Sequence, residues 1–198
     1  MIEAWDVAGL TEDEWTRHSL DIKIRLAAAP YLDGWGYDLS SPKVLYELPA
    51  AMFAGGIVWT TGTKRTNCST LTTSLLTSVR PDAPWSSREY GDLQVYADRL
   101  PAEPDAPVAA VVRMGIGQQV EALTAGAWHL IQGWRTFDPT VPRYSGHAFL
   151  VLADDAGDGI LVLEASSLAG GPRYRRTTWA GLVGEYPAGV FVAVLFGP

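Results

Sequence analysis

The chain carries one thiol, Cys68, and one asparagine, Asn67, side by side in the stretch TNCSTLTTSLLTSV. Leu71, Leu75, Leu76 and Val79 follow at helical spacing, so residues 66–79 read as an amphipathic helix with Thr66 or Asn67 as its N-cap. Cys68 then lies in the first turn. Unsatisfied N–H groups and the positive end of the helix dipole favour an anion there. That setting favours the thiolate and makes a cysteine a nucleophile near neutral pH. The same N–H groups can stabilise an oxyanion in acyl transfer, with Asn67 and Ser69 beside the thiol as candidate oxyanion or substrate contacts. The other common role of a lone cysteine is a buried, inert one. A single cysteine excludes an intrachain disulfide and a cysteine-based zinc site.

A thiol nucleophile needs a base. Of three histidines, His18 lies among charged residues of an N-terminal helix, and His129 lies inside an apolar strand. His147 follows Ser145-Gly146 at the start of a strand, a position from which a ring can face a cleft. His147 is the candidate base, with His129 as the alternative. An imidazole in such a pair needs a polar group to orient it. The only asparagine precedes the cysteine, so the orienting residue is sought elsewhere. Glu164 is an acid inside the apolar run ILVLEAS, on the strand joined by a hairpin to that of His147. A carboxylate there is costly unless paired, and it could fix the His147 tautomer. The alternative is an acid at a strand end near solvent.

Positioning these groups requires two kinds of element. Residues 11–28 read as a helix opened by a Thr11/Glu14 capping box, with Trp15, Leu20, Ile22, Ile24 and Leu26 as apolar members and Pro30 as its stop. Tyr31 to Pro42 is a Gly- and aromatic-rich loop; residues 43–54 are ambiguous, and IVWTTG after Gly55-Gly56 is a short apolar stretch. Residues 80–107 are Pro-rich and polar with a short helix near 91–99, 108–114 are a strand or a buried helix start, and Gly117 to Thr124 reads as helix. Residues 127–134, 146–153, 159–166 and 189–196 are four strands, with Asp154 to Asp158 as a hairpin turn. Helices first and an antiparallel meander after give an α+β domain over 1–198, helical to about 126 and β-rich from 127.

Composition narrows the partners. Apolar residues make up 47% of the 198 and charged residues 19%, enough for a full core in roughly one domain. The net charge of −7 argues against nucleic acid as the main partner. No apolar run approaches the ~18 residues of a membrane span, and the N-terminus lacks a secretory signal's basic start. The expected location is cytoplasmic, with non-classical export or phage-borne delivery as alternatives. Arg over Lys with abundant Ala and Gly points to a GC-rich bacterial or phage genome. Neither GxGxxG nor a Gly-rich loop ending in Lys-Ser/Thr occurs, so a nucleotide cofactor is unsupported, and no cofactor or metal is expected. The Asp154/Asp155/Asp158 cluster fits a hairpin turn better than a calcium loop. Tryptophans 35, 59, 85, 128, 134 and 179 are candidates for a substrate groove or for the core. Lys64 and Arg65, just before the thiol, read as a solvated loop, with assistance to the thiolate or binding of a substrate carboxylate as the alternative, and Arg173, Arg175 and Arg176 read as the exposed face of a strand.

The order of these signals resembles the NlpC/P60 group of papain-fold cysteine peptidases. The matching stretches are Asn67-Cys68-Ser69-Thr70 for the nucleophile motif, Gly146-His147-Ala148 for the histidine strand, and Glu164-Ala165-Ser166 for the third residue. Tyr31-Leu32-Asp33-Gly34-Trp35-Gly36 resembles the aromatic–glycine motif that precedes the cysteine, with Tyr37 competing with Tyr31 for the aromatic role. The chain departs from the family at Asn67 for Asp, Thr70 for Gly and Glu164 for His, Asn or Gln. The resemblance implies a papain-like fold and a thiol-dependent amidase or peptidase acting through Cys68, His147 and Glu164. It also implies a substrate of peptidoglycan stem-peptide type or similar amides. The same site with an amine acceptor would be an acyltransferase or transpeptidase. A non-catalytic binding or assembly protein on the same fold is the alternative from another class.

Overall fold

The computed structural model describes residues 11, 13, 17, 19–39, 44–47, 57–60, 64–79, 108–114, 123, 125–136, 145–154, 159–187 and 189–195. The architecture is α+β with an antiparallel sheet. The chain forms two compact units that interleave in sequence. One comprises residues 1–87 and 164–173 with the last two residues; the other comprises 88–163 and 174–196. Among the described residues, strands also occur in the part expected to be helical.

In the first unit, helix α1 (Leu20–Leu32) covers the second part of the expected 11–28 helix, and Asp13 and Arg17 in its first part are helical too. Ser19 is extended (φ −63°, ψ 157°) and its hydroxyl accepts from the Ile22 N–H, which makes it the N-cap. Leu20, Ile24, Ala27, Ala28 and Tyr31 form the buried face, while Ile22 faces out. Pro30 does not stop the helix. It removes one N–H from the ladder, but burial of Tyr31 holds the last turn, and Gly34 at φ 74° ends it. The expected Thr11/Glu14 box and Trp15 lie partly outside the described residues.

Strands β1 (Gly36–Tyr37), β2 (Val44–Glu47), β3 (Ile57–Thr60) and β4 (Arg65–Thr66) follow, then helix α2 (Cys68–Val79). β2 and β3 pair antiparallel, and β1 pairs parallel with β4, Gly36 opposite Arg65 and Tyr37 opposite Thr66. α2 is the helix read from the sequence. Leu71, Leu75, Leu76 and Val79 are its buried face, and it packs against α1. Its hydroxyl residues turn inward upon their own backbone. Thr72 donates to the carbonyls of Cys68 and Ser69, and Ser74 to that of Thr70. That satisfaction lets Thr72 and Ser74 sit in the core, where Thr70 is also buried.

The remaining strands are β5 (Val108–Met114), β6 (Trp128–Thr136), β7 (Ser145–Ala153), β8 (Gly159–Ser166), β9 (Gly171–Thr178) and β10 (Gly189–Leu195), with helix α3 (Trp179–Gly184) before β10; they belong to the second unit except for residues 164–173 of β8, β9 and the turn between them. Their sheet order is β5-β10-β6-β7-β8-β9. The four expected strands all form, and 108–114 is a strand. β7 and β8 are the expected hairpin neighbours, closed by the Asp154 N–H on the Gly159 carbonyl. β9 is additional. β10 returns between β5 and β6, so the sheet is not a simple meander. Its core is Ile131, Phe149, Val151, Ile160, Val162, Leu182 and Tyr186. Thr178 caps α3 by accepting from the Gly181 N–H. The expected helices at 91–99 and 117–124 lie outside the described residues apart from Leu123, which packs on this core.

Candidate functional site

In the first unit the thiol is delivered by a short run of fixed backbone. β1 lies between β4 and the β8–β9 turn, and its amides alternate between them. Gly36 and Asp38 donate to the Lys64 and Thr66 carbonyls at 2.8 and 2.9 Å, while Tyr37 donates to Gly170 at 2.8 Å. A Cβ at Gly171 would strike the Trp35 carbonyl, so this close approach requires glycine. The aromatic–glycine segment and the strand leading into Cys68 are thus hydrogen-bonded partners, although about 30 residues separate them in sequence.

Asn67 closes the helix start. Its Oδ1 accepts from the Thr70 N–H at 3.0 Å and the Ser69 hydroxyl at 3.1 Å, and its carbonyl accepts from the Leu71 N–H at 2.9 Å. Asn67 is therefore the cap, buried at 6% exposure. Its side-chain oxygen is committed to the helix rather than turned to a substrate, and Ser69 takes part in the same cap. Cys68 is the first residue of α2 and is half-buried. Lys64, exposed, has φ 50°, a left-handed conformation unusual outside glycine.

Tyr31 and Trp35 do not line a groove. They are 1% and 5% exposed and their rings lie 4.7 Å apart, which makes them core residues of this unit. Burial pushes the Tyr31 phenol up from its ordinary range, with Ser74 pulling the other way. Tyr37 is half-buried, so of the two competing aromatics it is the one with surface to offer.

Glu164 is 2% exposed, and Arg173 answers its charge. The guanidinium Nε and Nη2 both donate to Oε1, at 3.0 and 2.8 Å. The expected need for a partner is met, but by a residue read from the sequence as surface. The signal was present. A four-residue turn, 167–170, joins β8 to β9, and counting back from Ser166 and Gly171 sets Glu164 opposite Arg173. The neighbouring arginines are paired as well, Arg175 with Glu185 and Arg176 with Asp154.

In the second unit His147 opens β7 opposite Gly133 of β6 and is half-buried. Its ring lies 5.3 Å from that of Phe149 and 6.4 Å from that of Tyr186, the latter nearly coplanar at 17°. His129 is wholly buried, opposite Val151. Desolvation lowers its pKa, and backbone hydrogen bonding at Val151 and Ala127 offsets part of this. Between the two strand histidines, His147 alone has exposed surface. His18 lies outside the described residues. Trp128 is core and Trp179 packs against the core, while Trp85 and the side chains of Trp59 and Trp134 are outside the described set.

Among the described residues no group of three or more His, Cys, Asp or Glu could hold a metal ion. No described helix is long and apolar enough to cross a membrane. No protein-family model, curated protein or solved structure matches this chain.

Proposed function

We propose that the chain is a thiol-dependent amidase or peptidase of papain-like, NlpC/P60-type organisation, acting on peptide amides of the peptidoglycan stem-peptide kind. Cys68 is the nucleophile, His147 the base and acid, and Glu164 the residue that orients the imidazole. The observation that carries this reading is the setting of Cys68. A half-buried thiol opens a side-chain-capped helix directly after a strand fixed to the aromatic–glycine segment. Exposure of His147 and burial of His129 support the choice of base, and Glu164 is held in place by its ion pair with Arg173.

In this reaction the Cys68 thiolate attacks the amide carbonyl carbon, forming a C–S bond and an oxyanion that backbone N–H groups at the helix start stabilise. The His147 imidazolium gives its proton to the amide nitrogen, and the C–N bond breaks to leave a thioester. Water, deprotonated by His147, attacks the thioester. The acid leaves and the thiol is restored.

Incubation with muropeptides, read by mass spectrometry, tests the reading. Cleavage is expected from the unmodified chain and none from Cys68→Ala, with His147→Ala slower by about 100- to 10,000-fold. Full activity in Cys68→Ala, or a Cys68 that resists iodoacetamide in the folded protein at pH 7, would sink it.

A further inference from the structure

We infer that Tyr186 is a positioning residue for His147, seated by the missing side chain of Gly133. This rests on His147 being the base of the proposed reaction. Glycine weakens a strand interior and marks a place where something else comes close. Gly133 is such a glycine, and it is the cross-strand partner of His147. A Cβ there would overlap the Tyr186 ring, which therefore occupies the seat that a side chain facing His147 would otherwise fill.

Tyr186 is itself held firmly. It is 2% exposed, and its N–H donates to the Val183 carbonyl at the end of α3. Its ring stacks on Phe149 at 5.6 Å and 26°, and both rings flank the imidazole. Leu182 of α3 lies in the same buried cluster as Phe149 and Tyr186. His147 thus has two aromatic neighbours that restrict its ring, one from its own strand and one from the segment after α3. A base must present its nitrogen at a fixed angle and distance, so such restriction acts on turnover rather than on substrate affinity.

The test uses the full chain with Tyr186→Leu, Tyr186→Phe and Gly133→Ala, read by side-chain NMR of His147 and by amidase kinetics. Tyr186→Leu should move the His147 ring resonances downfield as the ring current is lost, and should raise ring mobility. It should also lower kcat on the order of tenfold or more with KM little changed. Tyr186→Phe keeps the ring and should restore both readouts. Gly133→Ala, which displaces Tyr186 without removing it, should resemble Tyr186→Leu. Unaltered His147 resonances and mobility in Tyr186→Leu overturn the inference. If that variant fails to fold, a mobile His147 ring in the unmodified protein overturns it equally. Loss of activity in no variant, His147→Ala included, sinks the catalytic reading instead, while the NMR result still decides the positioning claim.

Discussion

At the scale of single residues, the most informative side chain is Glu164, because its burial forces a question that only a cation can answer. Arg173 answers it with two donors on one oxygen, from a side chain that is itself 39% exposed. Removing one member of such a pair costs far more than the pair contributes, since the other charge stays behind. Arg173→Met is therefore expected to destabilise the fold by about 2–3 kcal/mol, at the lower edge of the buried-pair range because solvent screens the arginine. Glu164→Gln with Arg173→Met together should recover part of that loss. Urea titration of the three variants checks this, and an additive double mutant would show that no pair exists. Sequence reasoning recognised that Glu164 needed a partner but looked for a histidine. The arginine was legible only by counting through the β8–β9 turn, because its own strand reads as a charged surface run.

At the scale of elements, helix α2 was readable almost to the residue. Leucine spacing, an Asn at the start and a flanking thiol are local signals, and local signals survive folding. The cap itself is testable. Asn67→Ala removes the acceptor of the Thr70 N–H and the Ser69 hydroxyl and should cost about 1–2 kcal/mol, measured as a lower urea midpoint at constant slope. Asn67→Asp should hold stability close to the unmodified value, since either carboxylate oxygen accepts as well. α1 was less legible. Asp13 and Arg17 are helical as expected, but a hydroxyl cap at Ser19 and a buried Leu20 start a separate helix within the expected run, and Pro30 was overridden by the burial of Tyr31 one residue on. β9 was legible only as a strand face carrying Arg173, Arg175 and Arg176, because GPRYRRTT has no apolar alternation; ion pairs from these arginines take the place of packing.

At the scale of the whole molecule, the α+β class and the β7–β8 hairpin followed from pattern, but the return of β10 between β5 and β6 did not. That pairing joins residues from distant parts of the chain, and no local preference encodes it. Tyr186 was illegible for the same reason, although Gly133 in an apolar strand was a hint that something packs there. Global stability also carries a pH signature. His129 is buried with a lowered pKa, so the unfolded chain takes up its proton more readily than the folded one. Stability is then full above the ordinary histidine value of about 6.5 and declines as pH falls through it, by up to about 1.4 kcal/mol per pH unit. Calorimetric melting between pH 7.5 and 5 should show this decline, and His129→Leu should make the curve flatter. Equal slopes in the two proteins would assign the effect elsewhere.

The hairpin formed by β8 and β9 bears on how the chain matures. Its tip, residues 164–173, belongs to the unit that begins near the N-terminus, and Gly170 supplies the acceptor for Tyr37. During synthesis α1, β1 and α2 emerge long before that tip. The N-terminal unit therefore lacks this acceptor for Tyr37 until the β8–β9 hairpin has been made. The backbone that leads into Cys68 thus takes its last support from a segment made about a hundred residues later.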